Sequence, residues 1–198
     1  MMARSAAPLP RALPAVTGVR STLLLASRTS LTALGLFDRY AAHLSEPTRA
    51  RLGELIAGTW LPVELAVEHW AACDALGLSA DQQAALGRTN GERLRGTLLG
   101  TLARMARGAG TTPLTLIEQF PRFWGRIFQG GGMTYAVRGP KDVLVTASAD
   151  PILRSPHFRN GLAGTASSIL SLVCTSLYVR ITAYDAATAT GDYLMQWA

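Results

Sequence analysis

Two short clusters hold residue types that could do acid–base or nucleophilic chemistry. Glu68 and His69 are adjacent in a helical segment, but they do not belong to an HExxH zinc motif. Asp150, Ser155 and His157 have the residue types of a hydrolase triad, yet the sequence around Ser155 lacks the nucleophile-elbow signature. We therefore interpret Glu68 and His69 as a surface pair and Ser155 as a helix-capping residue. The sequence predicts no catalytic residues.

The cysteines and the glycine run indicate no metal or phosphate site. Cys73 and Cys174 lie 101 positions apart, so neither a redox CxxC pair nor a zinc knuckle is possible. Both occur in apolar segments, and we interpret them as core residues. Gly130-Gly131-Gly132 is not followed by Gly-Lys-Ser or Gly-Lys-Thr, so we interpret it as a turn from helix to strand. We expect no metal and no other cofactor.

The segment 120–128, FPRFWGRIF, is the strongest candidate for a binding surface. Aromatic residues interleaved with arginine can stack on bases or lie at a lipid interface. Here Phe120, Trp124 and Ile127 share one helical face while the two arginines share another, as in a half-buried helix. An apolar face that is not filled from within would line a cavity for a small apolar ligand. The candidate lining residues are Leu98, Leu102, Phe120, Trp124, Phe128 and Ile169.

The net charge of +6 is unevenly distributed. Residues 93–138 carry seven Arg and one Glu, whereas residues 38–92 carry four Arg and eight acidic residues. Arg93, Arg104 and Arg107 project from the side of a helix opposite its apolar residues, and they form a candidate face for an anionic partner. Because the acidic stretch offsets much of the basic charge, nucleic-acid binding is not the expected function. Contact of the arginine face with an anionic membrane or nucleic acid is kept as an alternative function.

The helical segment 86–105 is interrupted by four glycines at spacings of four and five residues. In a helix interior each glycine costs about 1 kcal/mol relative to alanine, so a closely packed neighbouring helix must compensate. The simpler interpretation, which we favour, is that the neighbouring helix belongs to the same chain. The alternative is a seam between two copies, which would make the protein a homodimeric or protein-binding adaptor. The glycines are Gly87, Gly91, Gly96 and Gly100.

The elements that must position these residues change in type along the chain. Residues 30–129 follow a helical pattern, with a stop expected at Glu46-Pro47, a break at Trp60-Leu61-Pro62 and a kink at Pro121. After the glycine run, four segments alternate as strands, and a helix is inserted between the second and third. The sequence predicts an α+β fold, in which an N-terminal helical bundle packs on a four-stranded antiparallel meander with an inserted helix.

The chain is predicted to form a single domain. Residues 1–16 contain three prolines and are expected to be a mobile extension, which leaves 17–198 as one α+β domain. Residues 160–179 carry no charge, but they are rich in Gly, Ser and Thr and follow a helical face. We interpret them as a buried amphipathic helix and expect no transmembrane segment. The expected location is the cytoplasm.

Several loose motifs carry a resemblance to known proteins. The GxxSxLL motif at 18–24, the GxWxP junction at 58–62 and the PxxW segment at 121–124 resemble a family of uncharacterised proteins abundant in myxobacteria. The closing strands, with Gly191-Asp192 and the ending Gln196-Trp197, are similar to a wider superfamily. It includes haem nitric-oxide-binding sensors, vinyl-reductase-type ligand-binding domains and the Golgi transport subunits of TRAPP complexes. The resemblance spans about residues 17–198. It implies a ligand-binding or docking module, often dimeric, that holds haem or an acyl chain between helices and sheet.

This sequence departs from the superfamily at the cofactor motifs. The Tyr-x-Ser-x-Arg clamp for haem propionates follows none of the five tyrosines, and the three histidines lie far apart. Tyr184 and Leu194 stand about where the vinyl-reductase-type domains carry a cysteine pair that could hold metal. We therefore expect a non-enzymatic sensor or adaptor module. Its predicted ligand is a small apolar, acyl-like molecule.

Overall fold

A computed structural model describes residues 13–95 and 111–198, and these form eight α-helices and seven β-strands. The helices are α1 (Ser21–Ala33), α2 (Phe37–Ala41), α3 (Glu46–Gly53), α4 (Val63–Asp74), α5 (Ala80–Arg95), α6 (Pro113–Ile117), α7 (Phe120–Ile127) and α8 (Pro156–Leu170). The strands are β1 (Gly18–Arg20), β2 (Trp60–Pro62), β3 (Phe128–Gln129), β4 (Gly132–Gly139), β5 (Asp142–Ser148), β6 (Leu177–Asp185) and β7 (Thr190–Trp197). Four predicted site residues, Leu98, Leu102, Arg104 and Arg107, lie outside the described ranges, as do positions 1–12.

The main sheet is antiparallel and four-stranded, in the order β4-β5-β7-β6. The predicted hairpin is present, with Val137 opposite Val143 and Tyr135 opposite Val145. The inserted helix α8 carries the chain away from β5, and β7 then returns between β5 and β6. Val143, Val145 and Ala147 are buried on one face, as the alternation requires. The predicted α+β fold class is confirmed, but the four strands do not form the predicted meander, because β7 and not β6 pairs with β5.

A second, three-stranded sheet was not predicted. Its order is β2-β1-β3, with Gly18 opposite both Pro62 and Gln129, and with Val19 opposite Leu61 and Phe128. Each of its strands has two or three residues, which is too short for an alternating pattern. The sheet brings together three distant parts of the chain: the segment just before α1, the segment just before α4 and the segment just after α7.

Three helix boundaries differ from the prediction. Glu46-Pro47 begins α3 and does not end a helix, because Ser45 caps this helix by accepting from the Thr48 amide. A proline is tolerated in the first turn, since the N–H group that it lacks would have no partner within the helix. The helical segment before this point is divided into α1 and α2 at Gly35, whose φ of +67° favours glycine. Pro121 likewise lies in the first turn of α7, so α6 and α7 are separate helices and not one kinked helix.

Helices α5 and α8 are in backbone contact. A Cβ on Gly164 would overlap the Ala84 carbonyl, and one on Gly87 would overlap the backbone of Gly161. The Thr165 hydroxyl also donates to the Gly87 carbonyl at 3.0 Å. Gly87 and Gly91 thus serve packing within the chain, whereas Gly96 and Gly100 lie outside the part that the structure describes.

The glycine contact predicts opposite effects for two neighbouring substitutions in α8. Gly164→Ala should lower the free energy of unfolding by roughly 1–3 kcal/mol, because the added methyl group forces the helices apart. Gly161→Ala should not lower it, since no atom outside the adjoining turns of α8 lies within 4 Å of its added Cβ, and alanine gains up to about 1 kcal/mol in a helix. Urea unfolding of both variants checks this, and equal losses would contradict the contact.

Candidate functional site

An apolar cavity of about 80 Å³ lies between α7, α8 and the inner face of the main sheet. Its walls are almost wholly carbon, and it is partly open at one side. Tyr193 presents its ring to the cavity, while its hydroxyl lies beside Gly191. The lining residues come from these three elements and the adjoining strands: Phe120, Phe123, Trp124, Ile127, Phe128, Met133, Leu162, Thr165, Ala166, Ile169, Tyr193 and Met195.

Local interactions hold the aromatic wall of the cavity in place. The Trp124 indole N–H donates to the Gly130 carbonyl at 3.0 Å, and the Trp124 and Phe128 rings lie 4.3 Å apart. The chain can turn back at this point because Gly130 and Gly131 have φ values of +90° and +63°. The predicted role of the glycine run as a helix-to-strand turn is therefore confirmed.

Four of the six predicted pocket residues line this cavity: Phe120, Trp124, Phe128 and Ile169. The other two lie outside the described residues. Sequence reasoning missed the wall from the sheet, which includes Tyr193 and Met195. Their alternation in β7 marks them as sharing a face, and this signal becomes useful only once the face toward the helices is known.

A second cavity of about 70 Å³ adjoins the first and is more polar. Ser27, Asn90 and His157 contribute polar side chains to its lining, beside Trp70 and Phe158. His157 is only 4% exposed, and its Nδ1 atom has no hydrogen-bond partner among the described residues. Burial lowers the pKa of His157, so the imidazole is neutral near pH 7.

The prediction of His69 as a surface residue is wrong. Its side chain is fully buried; Nδ1 lies 2.5 Å from the Tyr40 hydroxyl, and Nε2 lies 3.0 Å from the Ser27 hydroxyl. Burial lowers the pKa of His69 to about 3 and raises those of Tyr40 and Cys73, so the whole cluster is uncharged. The three-to-four-residue spacing of Ala66, His69 and Cys73 on α4 was the missed signal.

Glu68, Ser155 and Asp150 have structural partners. The Glu68 carboxylate accepts from the Ser45 amide and the Thr48 hydroxyl, which lowers its pKa. Ser155 accepts from the Phe158 amide at 3.1 Å, which confirms the predicted N-cap. The Asp150 carboxylate pairs with Arg154 at 2.6 Å.

The remaining candidates add no reactive site. Cys73 is buried and Cys174 is half-buried. Of the predicted cationic face, the structure describes Arg93, which is exposed. Over residues 13–95 and 111–198, no group of His, Cys, Asp or Glu is placed to hold a metal ion. Within the same ranges no helix has both the length and the apolar character needed to cross a membrane.

Comparisons with known proteins bear on the fold. No family model and no curated protein matches the chain. Among solved structures, the Fe(II) unliganded H-NOX protein from K. algicida has a TM-score of 0.64 and 6% identity, covering 90% of this chain and 96% of that chain. An oxygen-binding H-NOX domain related to soluble guanylate cyclases has a TM-score of 0.61 and 9% identity, covering 90% of this chain and 94% of that chain. The expected likeness to haem nitric-oxide-binding sensors is thus confirmed for the fold, while the myxobacterial family stays a prediction.

Buried His69 predicts a loss of stability in acid. The unfolded chain takes up a proton near pH 6.5, whereas the folded imidazole resists protonation until about pH 3. The free energy of unfolding is therefore fully retained above pH 6.5 and falls as the pH drops toward 3, by up to about 1.4 kcal/mol per pH unit. His157, whose pKa is also lowered, acts in the same direction.

We expect His69→Gln to flatten this acid dependence, because the amide keeps hydrogen-bonding capacity and does not titrate. Urea unfolding between pH 7.5 and 4.5 measures the slope. His43→Gln is the matched control, since it makes the same substitution at an exposed histidine. Parallel curves for the wild type and His69→Gln would show that His69 does not resist protonation.

Proposed function

We propose that this chain is a non-enzymatic ligand-binding module of the sensor type, with a small apolar molecule as its ligand. The observation that carries the proposal is the carbon-walled cavity between α7, α8 and the sheet. Phe120 and Trp124 from α7 and Ile169 from α8 converge on it, although they are distant in sequence. The fold shared with the H-NOX structures, some of which are described as gas-binding, supports a ligand-binding role.

The chemistry of the walls defines the ligand class. A polar group placed against carbon would lose its hydrogen bonds to water without replacement, so the cavity selects an apolar body. Pockets for drug-sized molecules span roughly 300–1,000 Å³, well above the volume here of about 80 Å³. The ligand is therefore a small hydrocarbon group or the end of an acyl chain that enters through the open side.

The residues around the cavity do not fit haem. Haem needs an axial ligand and cationic or hydrogen-bonding partners for its propionates. His43 is exposed, both ring nitrogens of His69 have partners, and His157 does not line the apolar cavity. Burial raises the pKa of the Tyr193 phenol, which keeps it protonated and a poor ligand. No described lining residue is Arg or Lys, so the proposal involves no haem chemistry.

Ligand binding would link the helical layer to the sheet. The cavity is bounded by α7 on one side and α8 on another, with Met195 of β7 between them. A molecule that contacts all three elements stabilises the arrangement in which they converge. The Trp124 indole, which lines the cavity, also donates to the Gly130 carbonyl, so α7 and the glycine turn are joined.

The other two functions stay predictions. A dimer seam through the glycine-spaced helix would require a face beyond Gly87 and Gly91, which α8 already covers. An anionic-partner face retains Arg93 as its described member. No contact among the described residues favours either function over ligand binding.

The proposal predicts binding of benzene and its loss on filling the cavity. Ala166→Leu should abolish binding, because the longer side chain occupies the space of the ligand. Ser167→Leu is the matched control, since the neighbouring residue on α8 does not line the cavity and should keep the wild-type affinity. Titration followed by NMR and by thermal unfolding measures both. Absence of benzene binding in the wild type, or equal binding in Ala166→Leu, would contradict the proposal.

The same reasoning predicts no specific haem complex. Titration of the purified protein with hemin should give no saturable one-to-one shift of the Soret band, because no free axial ligand lines the apolar cavity. The control is a protein with a known haem site under the same conditions. A stoichiometric complex that is lost in His157→Leu would overturn this part of the proposal.

A further inference from the structure

The residues that line the apolar cavity differ in exposure. Trp124 and Tyr193 are buried, whereas Phe123 and Ile127 of α7 and Ile169 of α8 are half-buried. A half-buried lining residue contacts both the cavity and the solvent, so these three residues lie at the open side. One border of the opening is therefore formed by α7.

The volume of the cavity decides where the polar end of an acyl ligand lies. About 80 Å³ admits only the end of an acyl chain, so the remainder of the chain must extend through the opening. The polar head group then lies at the surface, where it keeps most of its contact with water and avoids the cost of burial. The side chains at this opening therefore determine which head group is favoured.

Arg126 is the charged residue that α7 places beside the opening. It follows Phe123 by three positions, and residues three apart are neighbours on a helix surface, with Cβ atoms about 5–6 Å apart. Arg126 is exposed and forms no ion pair among the described residues. Arg122, one turn earlier, is also exposed and donates to Oε1 of Gln119 at 3.4 Å. Two arginines four positions apart repel each other, and an anion bound at this face relieves the repulsion.

The elements around the opening carry positive charge and no acidic residue. Together α7, α8 and β4, which supply its half-buried residues, contain four Arg and no Asp or Glu. Glu118 precedes α7, and it forms no ion pair with any described residue. A negative head group would thus be attracted by these three elements and repelled by none of them. A guanidinium can also bind a carboxylate through paired hydrogen bonds.

We propose that the ligand is a fatty acid anion, with the end of its acyl chain in the apolar cavity and its carboxylate paired with Arg126 at the opening. This inference rests on the proposed function, which supplies the apolar half of the site. It adds the charge of the head group, and it makes Arg126 the residue that distinguishes a fatty acid from an alcohol of the same length. The ion pair is exposed to water, so its contribution to affinity is modest and is screened by salt.

Octanoate and octanol form a matched pair of probes, since they have the same number of carbon atoms and differ in the charge of the head group. Arg126→Glu should weaken octanoate binding by about fivefold, the upper range for one exposed ion pair, and leave octanol within about twofold. Arg138→Glu is the matched control. It makes the same change in net charge at an exposed position of β4, five residues or roughly 16 Å along the strand from Met133 of the cavity wall. It should keep the wild-type affinity for both probes within about twofold.

A readout without substitution keeps the inference testable if a variant does not fold. Titration of the wild-type chain by calorimetry at low and at high salt compares the two probes directly. Added salt should weaken the binding of octanoate and should not weaken that of octanol, because only the charged head group depends on an ion pair.

The outcomes separate the two proposals. If neither benzene nor octanol binds the wild type, the proposed function fails and this inference fails with it. If they bind and are lost in Ala166→Leu, but octanoate does not bind, is insensitive to salt, or is weakened equally by Arg126→Glu and Arg138→Glu, only the fatty acid is wrong.

Vesicles of anionic phospholipid test the other source of a negative head group. The fatty acid proposal predicts that Arg126→Glu affects octanoate binding whether or not the chain binds vesicles. If Arg126→Glu abolishes vesicle binding and leaves octanoate binding unchanged, Arg126 contacts a membrane surface and the inference is overturned.

Discussion

The backbone contact between α5 and α8 is the constraint on which the rest of the structure depends. Gly164 lets α8 approach the Ala84 carbonyl, and Thr165 adds a hydrogen bond to Gly87 one turn further along α5. With the two helices this close, one side of α8 contacts α5 and another side contacts the inner face of the main sheet. Leu162 and Thr165 lie at the border of these two sides and therefore line both cavities. A wider spacing between α5 and α8 would move the residues that line the two cavities apart.

The second support is the closure of the aromatic segment against the sheet. Trp124 is tied to the Gly130 carbonyl, and Phe128 continues directly into β3, where it pairs with Val19 of β1. The small sheet thus fixes the end of α7 while the glycine turn directs the chain into β4. The cavity lies between this anchored segment, α8 and the main sheet.

The sequence predicts the long elements well and the short-range contacts between distant segments poorly. Alternation over β4 to β7 and the apolar face of α7 are local patterns, so the α+β class, the hairpin and four lining residues could be predicted. The three-stranded sheet could not, because its strands have two or three residues each. His69 was misplaced for a related reason. Its partners Tyr40 and Ser27 lie 29 and 42 residues away, and no local pattern shows that they meet.

The two buried histidines differ in their hydrogen bonding. His69 has a hydroxyl partner at each ring nitrogen, so both of its polar atoms are hydrogen-bonded within the protein. These bonds join α1, α2 and α4. His157 is nearly as buried, yet its Nδ1 lacks such a partner and the residue lines a cavity. Burial alone therefore does not identify a binding residue. An unpaired buried atom does not identify one either, because the Tyr193 hydroxyl is also buried and has no hydrogen-bond partner among the described residues.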